Sequence, residues 1–255
     1  MTAFAFKLIA CITMLIDHIG LVFEEPLAEV HPLLPIICRL IGRMAFPLFA
    51  FGIGEGATHT SSPKKYLLRM FLFALIAQAP FMLMVGTHHK ITSMTLFNSE
   101  VPIYTGGSVM VTLFLGLSIC IAIHEGRHFG AALALAFGYA FDRVIGMDYG
   151  ILGVLFIVGL YFARGSRIGR SLVLILFAVC FYITPISSFI SQAVSGVRPL
   201  EIGQQLFKFF AMCLPAVLLL FYNGKPGRKA KLFTYCFYPL HMAVLWAIYA
   251  AINFF

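Results

Sequence analysis

The first apolar run of the chain, residues 4–23, carries two ionisable side chains, Asp17 and His18, in its second half. The run has the length of a helix that crosses a hydrocarbon core of about 30 Å. An Asp near the centre of such a helix costs about 2.5–3.5 kcal/mol on insertion scales, so ionisable residues in membrane spans usually serve a function. We therefore interpret Asp17-His18 as the centre of a functional site.

Apolar runs of similar length recur along the chain of 255 residues, which is 61% hydrophobic and 11% charged. A soluble domain is usually about 45–50% apolar with about 25% charged residues. The sequence predicts an all-α, polytopic integral membrane protein, a single-domain helical bundle over residues 1–255 with about nine transmembrane helices. The predicted spans are residues 4–23, 33–55, 66–86, 108–124, 128–145, 148–164, 171–190, 204–222 and 231–252.

One long connection, residues 87–107, interrupts this pattern. Pro102 and the Gly106-Gly107 pair predict an irregular segment there, with a re-entrant path as an alternative.

The charged residues alternate between successive loops. The basic loops carry Lys64, Lys65 and Arg69, then Arg164, Arg167 and Arg170, then Lys225, Arg228, Lys229 and Lys231. The positive-inside rule places these loops and the N-terminus in the cytoplasm and, with nine spans, the C-terminus outside. The same rule accounts for the net charge of +8, so the basic balance does not favour nucleic-acid binding.

Several ionisable side chains fall at similar depths in different spans. Asp17 and His18 lie in the outer half of the first span, as Arg39 and Arg43 do in the second, and His241 lies near the middle of the last. Each would be costly against lipid, so we expect them to face one interior cavity. Because Asp17 can offset only one guanidinium, the excess positive charge predicts an anionic ligand or a developing oxyanion.

Each of these positions also has a simpler interpretation. Arg39, and less readily Arg43, can snorkel to the outer interface. His241 can be a satisfied core group, although the hydroxyl of Tyr238 lies nearby in sequence. Asp148, which precedes Tyr149, can be the N-terminal cap of the sixth predicted span or a site residue.

A second group of candidates lies at the cytoplasmic side. Lys64, Lys65, Tyr66 and Arg69 follow the second span, and they form either a topogenic loop or a site for the phosphates of a nucleotide donor. Glu55 is either a charge at a helix end or a partner for that loop.

Metal binding is not predicted. The six cysteines are scattered singly among the apolar runs, which is typical of small buried apolar residues. The adjacent His88 and His89 have no carboxylate or third ligand at helical spacing.

Motifs along nearly the whole chain resemble the TraX family, whose namesake is the conjugative pilin acetylase. The resemblance covers Asp17-His18-Ile19, Gly42-Arg43, Ala45-Phe46-Pro47-Leu48-Phe49-Ala50, Glu55-Gly56, Lys65-Tyr66 with Arg69, Phe73-Ala74, Pro80-Phe81, Val109-Met110, Thr112-Leu113, Tyr149-Gly150, and Phe237-Tyr238 with His241. Two departures, Ser108 where many members have Asn and the long 87–107 segment, bear on the acceptor.

The resemblance implies an acetyltransferase of the bacterial inner membrane that uses acetyl-CoA and acetylates the N-terminal amine of a pilin-like protein. The family is distantly similar to the type-3 membrane acyltransferases and to the lysosomal heparan-glucosaminide acetyltransferase, which share an Asp-His on an early span. Carried over to this sequence, the catalytic residue is His18, with Asp17 beside it.

The resulting hypothesis assigns a task to each group. The CoA phosphates bind the basic cytoplasmic loops, His18 takes the acceptor proton or carries the acetyl group, Asp17 orients His18, and Arg43 stabilises the oxyanion. The expected partners are acetyl-CoA, a pilin-like protein or a surface glycan, and the lipid bilayer, with no metal and no nucleic acid. The alternatives are an O-acetyltransferase for a cell-surface glycan, a proton-coupled transporter, and a structural assembly factor.

Overall fold

A computed structural model describes residues 1–88, 92–96, 99–194, 199–225, 227–228 and 231–253, and the description leaves out the side chains of residues 92, 94–96, 99, 184–202 and 231–232. The described helices are α1 (Ala3–Val22), α2 (Glu24–Val30), α3 (Leu34–Gly42), α4 (Ala45–His59), α5 (Pro63–Gly86), α6 (Val109–His124), α7 (His128–Val144), α8 (Gly150–Phe162), α9 (Arg167–Val194), α10 (Pro199–Leu220) and α11 (Lys231–Asn253). Two short strands, β1 (Thr92–Leu96) and β2 (Ser99–Ile103), lie between α5 and α6.

The prediction of an all-α membrane bundle is confirmed, and every predicted span coincides with a helix or a pair of helices. Five segments are long and apolar enough to cross a bilayer: Ala3–Val22, Leu34–His59, Pro63–Gly86, Gly203–Leu220 and Phe233–Asn253. Two shorter apolar segments are Val109–His124 and Gly150–Gly165. The count of nine crossings therefore stays a prediction.

The connection at 87–107 is an antiparallel β-hairpin rather than the irregular or re-entrant segment that Pro102 and the glycines suggested. Its strands pair in register from Thr92 opposite Ile103 onward, and β-branched residues are typical of strands. The hairpin folds against the end of α5, where Val101 is buried. The sequence pattern did not predict the hydrogen-bonded pairing of β1 with β2.

The second apolar run is divided between α3 and α4 at Arg43 and Met44. Pro47, in the first turn of α4, has no backbone N–H, and its ring would clash with the carbonyl four residues earlier, which is that of Arg43. The helix break therefore lies beside Arg43, and it places this guanidinium at an irregular point inside the bundle.

The two ends of the bundle differ in charge. Ala3 donates its N–H to the Lys225 carbonyl at 2.9 Å, so the start of α1 lies beside the segment that follows α10. The described basic residues of the three predicted cytoplasmic loops share this end, hereafter the basic end: Lys64, Lys65, Arg69, Arg164, Arg167, Arg170, Lys225 and Arg228. Lys229 and the side chain of Lys231 lie outside the described residues. At the opposite end Glu24 pairs with His88 at 2.8 Å.

Large apolar side chains cover much of the outer surface. Exposed examples include Leu68 and Leu75 on α5 and Phe129 and Phe137 on α7. A soluble protein rarely exposes apolar surface so continuously, whereas backbone groups satisfied within helices and an apolar exterior suit a bilayer.

Helices α1 and α3 pack closely at Gly20. A Cβ atom at Gly20 would overlap Cβ of Cys38 and lie 3.3 Å from the Pro35 carbonyl oxygen. Gly20→Ala should therefore lower the free energy of unfolding by about 1–3 kcal/mol, the usual cost of overpacking, as measured by unfolding in detergent micelles.

The control is Gly203→Ala in α10, where an added Cβ meets no atom within 4 Å. That variant should be neutral or gain up to about 1 kcal/mol, because alanine loses less backbone entropy than glycine in a helix. Equal effects of the two substitutions would contradict the close packing of α1 on α3.

Candidate functional site

The centre of the site is a pair of imidazoles from the first and last helices. Nδ1 of His18 on α1 lies 2.7 Å from Nε2 of His241 on α11. The ring planes differ by 2° and the ring centres are 4.9 Å apart. That separation exceeds the N···N distance by about the width of one ring, so the imidazoles meet edge to edge, as a hydrogen bond requires.

His241 is buried and held by its own helix. Its Nδ1 lies 2.7 Å from the Phe237 carbonyl oxygen. The Phe237 ring stacks on it at 4.8 Å between centroids, and Tyr238 approaches edge-on at 5.9 Å. Of the predicted site residues, His241 therefore contacts both His18 and Tyr238.

Asp17 binds Arg39 and not His18. Nη1 of Arg39 donates to Oδ2 of Asp17 at 2.6 Å. Successive side chains on a helix differ by about 100° in direction, so Asp17 faces α3 while His18 faces α11. The expectation that Asp17 orients His18 does not match this geometry, whereas Arg39 is a partner of Asp17 and does not snorkel away.

The close approach of Asp17 to α3 depends on Gly42. A Cβ atom at Gly42 would overlap the Asp17 carboxylate. The other carboxylate oxygen, Oδ1, is buried and has no hydrogen-bond partner within the described part of the chain.

Arg43 follows α3 and lies among polar groups from three other elements. Its guanidinium hydrogen-bonds Tyr182 on α9 and interacts electrostatically with Tyr149 and Asp148, which precede α8, and with Asp17 on α1. Among the described residues, its buried Nε has no hydrogen-bond partner, and no carboxylate forms an ion pair with its guanidinium. Arg43 therefore matches the prediction of unbalanced positive charge in this half of the bundle.

Tyr149 has a strained backbone. Its φ is +64°, in the left-handed region that residues other than glycine seldom adopt. Its ring stacks on Phe46 of α4 with centroids 3.8 Å apart and planes 9° apart. Such strain persists where surrounding contacts fix it, often at functional sites, and here Tyr149 interacts electrostatically with Arg43.

The cap of α8 is Asp142 rather than Asp148. Oδ1 of Asp142 accepts from the Met147 N–H at 3.2 Å, and Oδ2 accepts from the Ile151 N–H at 2.9 Å. Asp148 is held instead through its backbone, which accepts a hydrogen bond from the Thr112 hydroxyl. The Asp148 side chain therefore does not cap α8, because Asp142 accepts from the N–H groups at its start.

Two residues at this level were missed by sequence reasoning. Lys208 on α10 is half-buried and interacts electrostatically with Arg43, Arg39 and Asp17. Gln78 on α5 holds the loop before α6, since its Nε2 donates to the Gly106 carbonyl at 2.8 Å. A lone charge in the predicted span 204–222 was the available signal for Lys208; Gln78 carried none.

Glu55 belongs to a second buried cluster near the basic end. Its Oε1 pairs with Nη2 of Arg170 at 2.7 Å, and Tyr222 donates its hydroxyl hydrogen to Oε2 at 3.2 Å. Arg170 also donates to the Arg164 carbonyl and lies over the Phe51 ring, 5.4 Å from its centroid. The partner of Glu55 is thus Arg170 on α9 and not the Lys64-Lys65 loop.

The remaining candidates at the basic end are dispersed. Lys64 and Lys65 are exposed at the start of α5. Further along that helix Arg69 lies 6.0 Å from the Tyr66 ring centroid and hydrogen-bonds Tyr235 of α11. These groups form a basic approach to the bundle, separate from the imidazole pair.

Metal ligands do not cluster in the part of the chain that the structure describes, where no three His, Cys, Asp or Glu side chains are grouped. The six cysteines are free thiols. His88 pairs with Glu24, and His89 lies outside the described residues.

The comparisons with known proteins bear on this arrangement as a whole. The family profile described as TraX protein matches residues 3–249. The chain belongs to the TraX family. The probable fimbrial assembly protein FimC, serogroup H1, of Dichelobacter nodosus is 29% identical to this TraX-family protein over 251 residues, which are 96% of this chain and 94% of the relative. No solved structure matches this chain.

We predict that the Glu55–Arg170 pair stabilises the fold of this TraX-family protein. Glu55→Leu should lower the free energy of unfolding by about 3–5 kcal/mol, because it leaves a buried guanidinium without its anion. The double variant Glu55→Leu/Arg170→Met should lose less than Glu55→Leu alone, since it removes both buried charges. Unfolding in detergent measures both.

The matched control is Glu125→Leu, which breaks the more exposed Glu125–Arg127 pair and should cost at most about 1 kcal/mol. Additive losses in the Glu55–Arg170 double variant would contradict the coupling.

Proposed function

We propose that this TraX-family protein is an acetyltransferase of the bacterial inner membrane. It transfers acetyl from cytoplasmic acetyl-CoA to an acceptor on the outer side, the N-terminal amine of a pilin-like protein. The observation that carries the proposal is the hydrogen-bonded His18–His241 pair, 2.7 Å between nitrogens, inside a membrane bundle and next to Arg39, Arg43 and Asp17. Neutral imidazole is the commonest general base in enzymes.

The His18 imidazole takes one proton from the acceptor amine as the amine nitrogen attacks the acetyl carbonyl carbon. The C–N bond forms and the C–S bond of the thioester breaks. The His18 N–H then returns the proton to the departing CoA thiolate, so the products are the N-acetylated acceptor and free CoA. Arg43 stabilises the negative charge that develops on the carbonyl oxygen, because its guanidinium is cationic and its Nε has no hydrogen-bond partner among the described residues.

The basic end fits the phosphates of acetyl-CoA. Lys64 and Lys65 are exposed there and Arg69 lies one turn further along α5, so they offer cations to the CoA phosphates. With a rise of 1.5 Å per residue, His18 lies about 22 Å along α1 from that end. The thioester arm therefore has to enter the bundle to reach His18.

The relationship to a fimbrial assembly protein supports a pilin-like acceptor. The proposed topology separates the two substrates: nine crossings, with the N-terminus and basic end in the cytoplasm and the imidazole pair nearer the outer face. Acetyl-CoA then approaches from one side and the acceptor from the other.

His18→Ala should reduce transfer of labelled acetyl from acetyl-CoA by at least about 100-fold, because a positioned general base contributes about 10²–10⁴-fold. The assay uses the purified full chain with a pilin-like acceptor. The matched control is His128→Ala, an exposed histidine at the start of α7, which should retain the activity.

Normal transfer by a folded His18→Ala variant would refute the role of His18. Mass spectrometry of pilins and surface glycans from a deletion strain identifies the acceptor. Loss of acetyl groups from a glycan, with acetylation of the pilin amines unchanged, would identify the glycan as the acceptor in place of the pilin.

Lys64→Gln/Lys65→Gln should raise KM for acetyl-CoA several-fold and leave kcat nearly unchanged, since the two ammonium groups would serve binding and not chemistry. The difference from the unaltered protein should shrink as salt is added. Arg143→Gln, an exposed basic residue at the opposite end, is the control. An unchanged KM in the double variant would place the CoA phosphates elsewhere.

A further inference from the structure

Two hydrogen bonds in series connect His18 to a backbone carbonyl of α11. His18 Nδ1 lies 2.7 Å from His241 Nε2, and His241 Nδ1 lies 2.7 Å from the Phe237 carbonyl oxygen. Both distances are short enough for genuine hydrogen bonds. The direction of each bond follows from which atoms can donate.

The Phe237 carbonyl oxygen can only accept a hydrogen bond. Nδ1 of His241 must therefore carry the proton in that contact. A neutral imidazole has one N–H, so His241 Nε2 has a lone pair and accepts. The contact between the imidazoles then requires the proton of His18 on Nδ1.

The alternative is a charged His241 that donates from both nitrogens. That state would place another cation in a buried region next to Arg39 and Arg43, both of which interact electrostatically with His18. Asp17 already pairs with Arg39, and an unpaired buried charge is strongly unfavourable. The neutral pair is the arrangement that the surroundings favour.

We infer that His241 is a positioning residue that holds His18 in the Nδ1–H tautomer, which leaves Nε2 of His18 as the basic atom of the site. The inference rests on the proposed function, because it names the atom that takes the acceptor proton. His241 itself does not touch the substrates.

The packing around His241 is suited to this role. The imidazole is buried, the Phe237 ring stacks on it with planes 15° apart, and Tyr238 lies against it edge-on. A ring fixed on both sides cannot easily turn to exchange its nitrogens. When His18 becomes protonated on Nε2, His241 continues to accept from Nδ1 and stabilises the imidazolium.

The same role in serine hydrolases is played by a carboxylate, which orients the histidine and fixes its tautomer. The carboxylate adjacent in sequence, Asp17, cannot do so here because it is committed to Arg39. A second imidazole anchored to a carbonyl supplies the acceptor in its place.

The test is 15N NMR of the full chain labelled at its histidines, with the His18 signals assigned by comparison with His18→Gln. In the unaltered protein His18 should show a protonated Nδ1 and an unprotonated Nε2. In His241→Leu the proton should distribute over both nitrogens of His18, since no acceptor fixes it. His128→Leu, at an exposed site, should leave the His18 signals unchanged.

Kinetics give a second readout. His241→Leu should lower kcat about 10- to 100-fold, by analogy with the loss of a group that orients a metal-bound histidine, with KM for acetyl-CoA unchanged. His241→Gln, whose amide oxygen can accept from His18, should recover much of the activity.

A protonated Nε2 on His18 in the unaltered protein, or an unchanged tautomer in His241→Leu, would overturn the inference. If His241→Leu does not fold, the spectrum of the unaltered protein decides alone. The NMR result does not depend on transferase activity. If the protein shows the expected His18 tautomer but transfers no acetyl, the role of His241 stands and the proposed function is wrong. If His18→Ala abolishes transfer but His18 of the unaltered protein carries its proton on Nε2, the proposed function stands and the role of His241 is wrong.

Discussion

The cost of placing a charge in an apolar bundle without a partner is the constraint on which this structure depends. Asp17 meets Arg39 between α1 and α3, and Glu55 meets Arg170 between α4 and α9. Each pair links two helices by a directional polar contact, whereas apolar contacts are similar in strength against protein and against lipid. The ion pairs therefore determine which faces meet more than they increase stability.

The Asp17–Arg39 pair also explains why His18 is paired with α11 and not with the adjacent carboxylate. With Asp17 engaged by α3, His18 faces the other way and finds its partner on α11. The first and last helices of the chain then meet at the site. An imidazole whose acceptor is a neutral imidazole adds no charge to a region that already contains the guanidiniums of Arg39 and Arg43.

Irregular backbone surrounds this point. The helix break at Arg43, four residues before Pro47, and the left-handed Tyr149 lie at the same level of the bundle. Regular helices satisfy their own backbone groups and present side chains at fixed angles. A break and a strained turn allow Arg43 and Tyr149 to approach each other where continuous helices would not.

The sequence by itself determined the membrane class, the positions of the long apolar helices, the grouping of the basic loops at one end, and the positions of Asp17, His18, Arg43 and His241 along their helices. These follow from run length and from the count of residues along each span. Only the tertiary structure decided that Asp17 pairs with Arg39, that Glu55 pairs with Arg170, that Asp142 caps α8, and that Lys208 faces the site. Depth is a sum along one helix, whereas a partner within hydrogen-bonding distance depends on how each helix is rotated against its neighbours, and that rotation is set by the packing of all of them together.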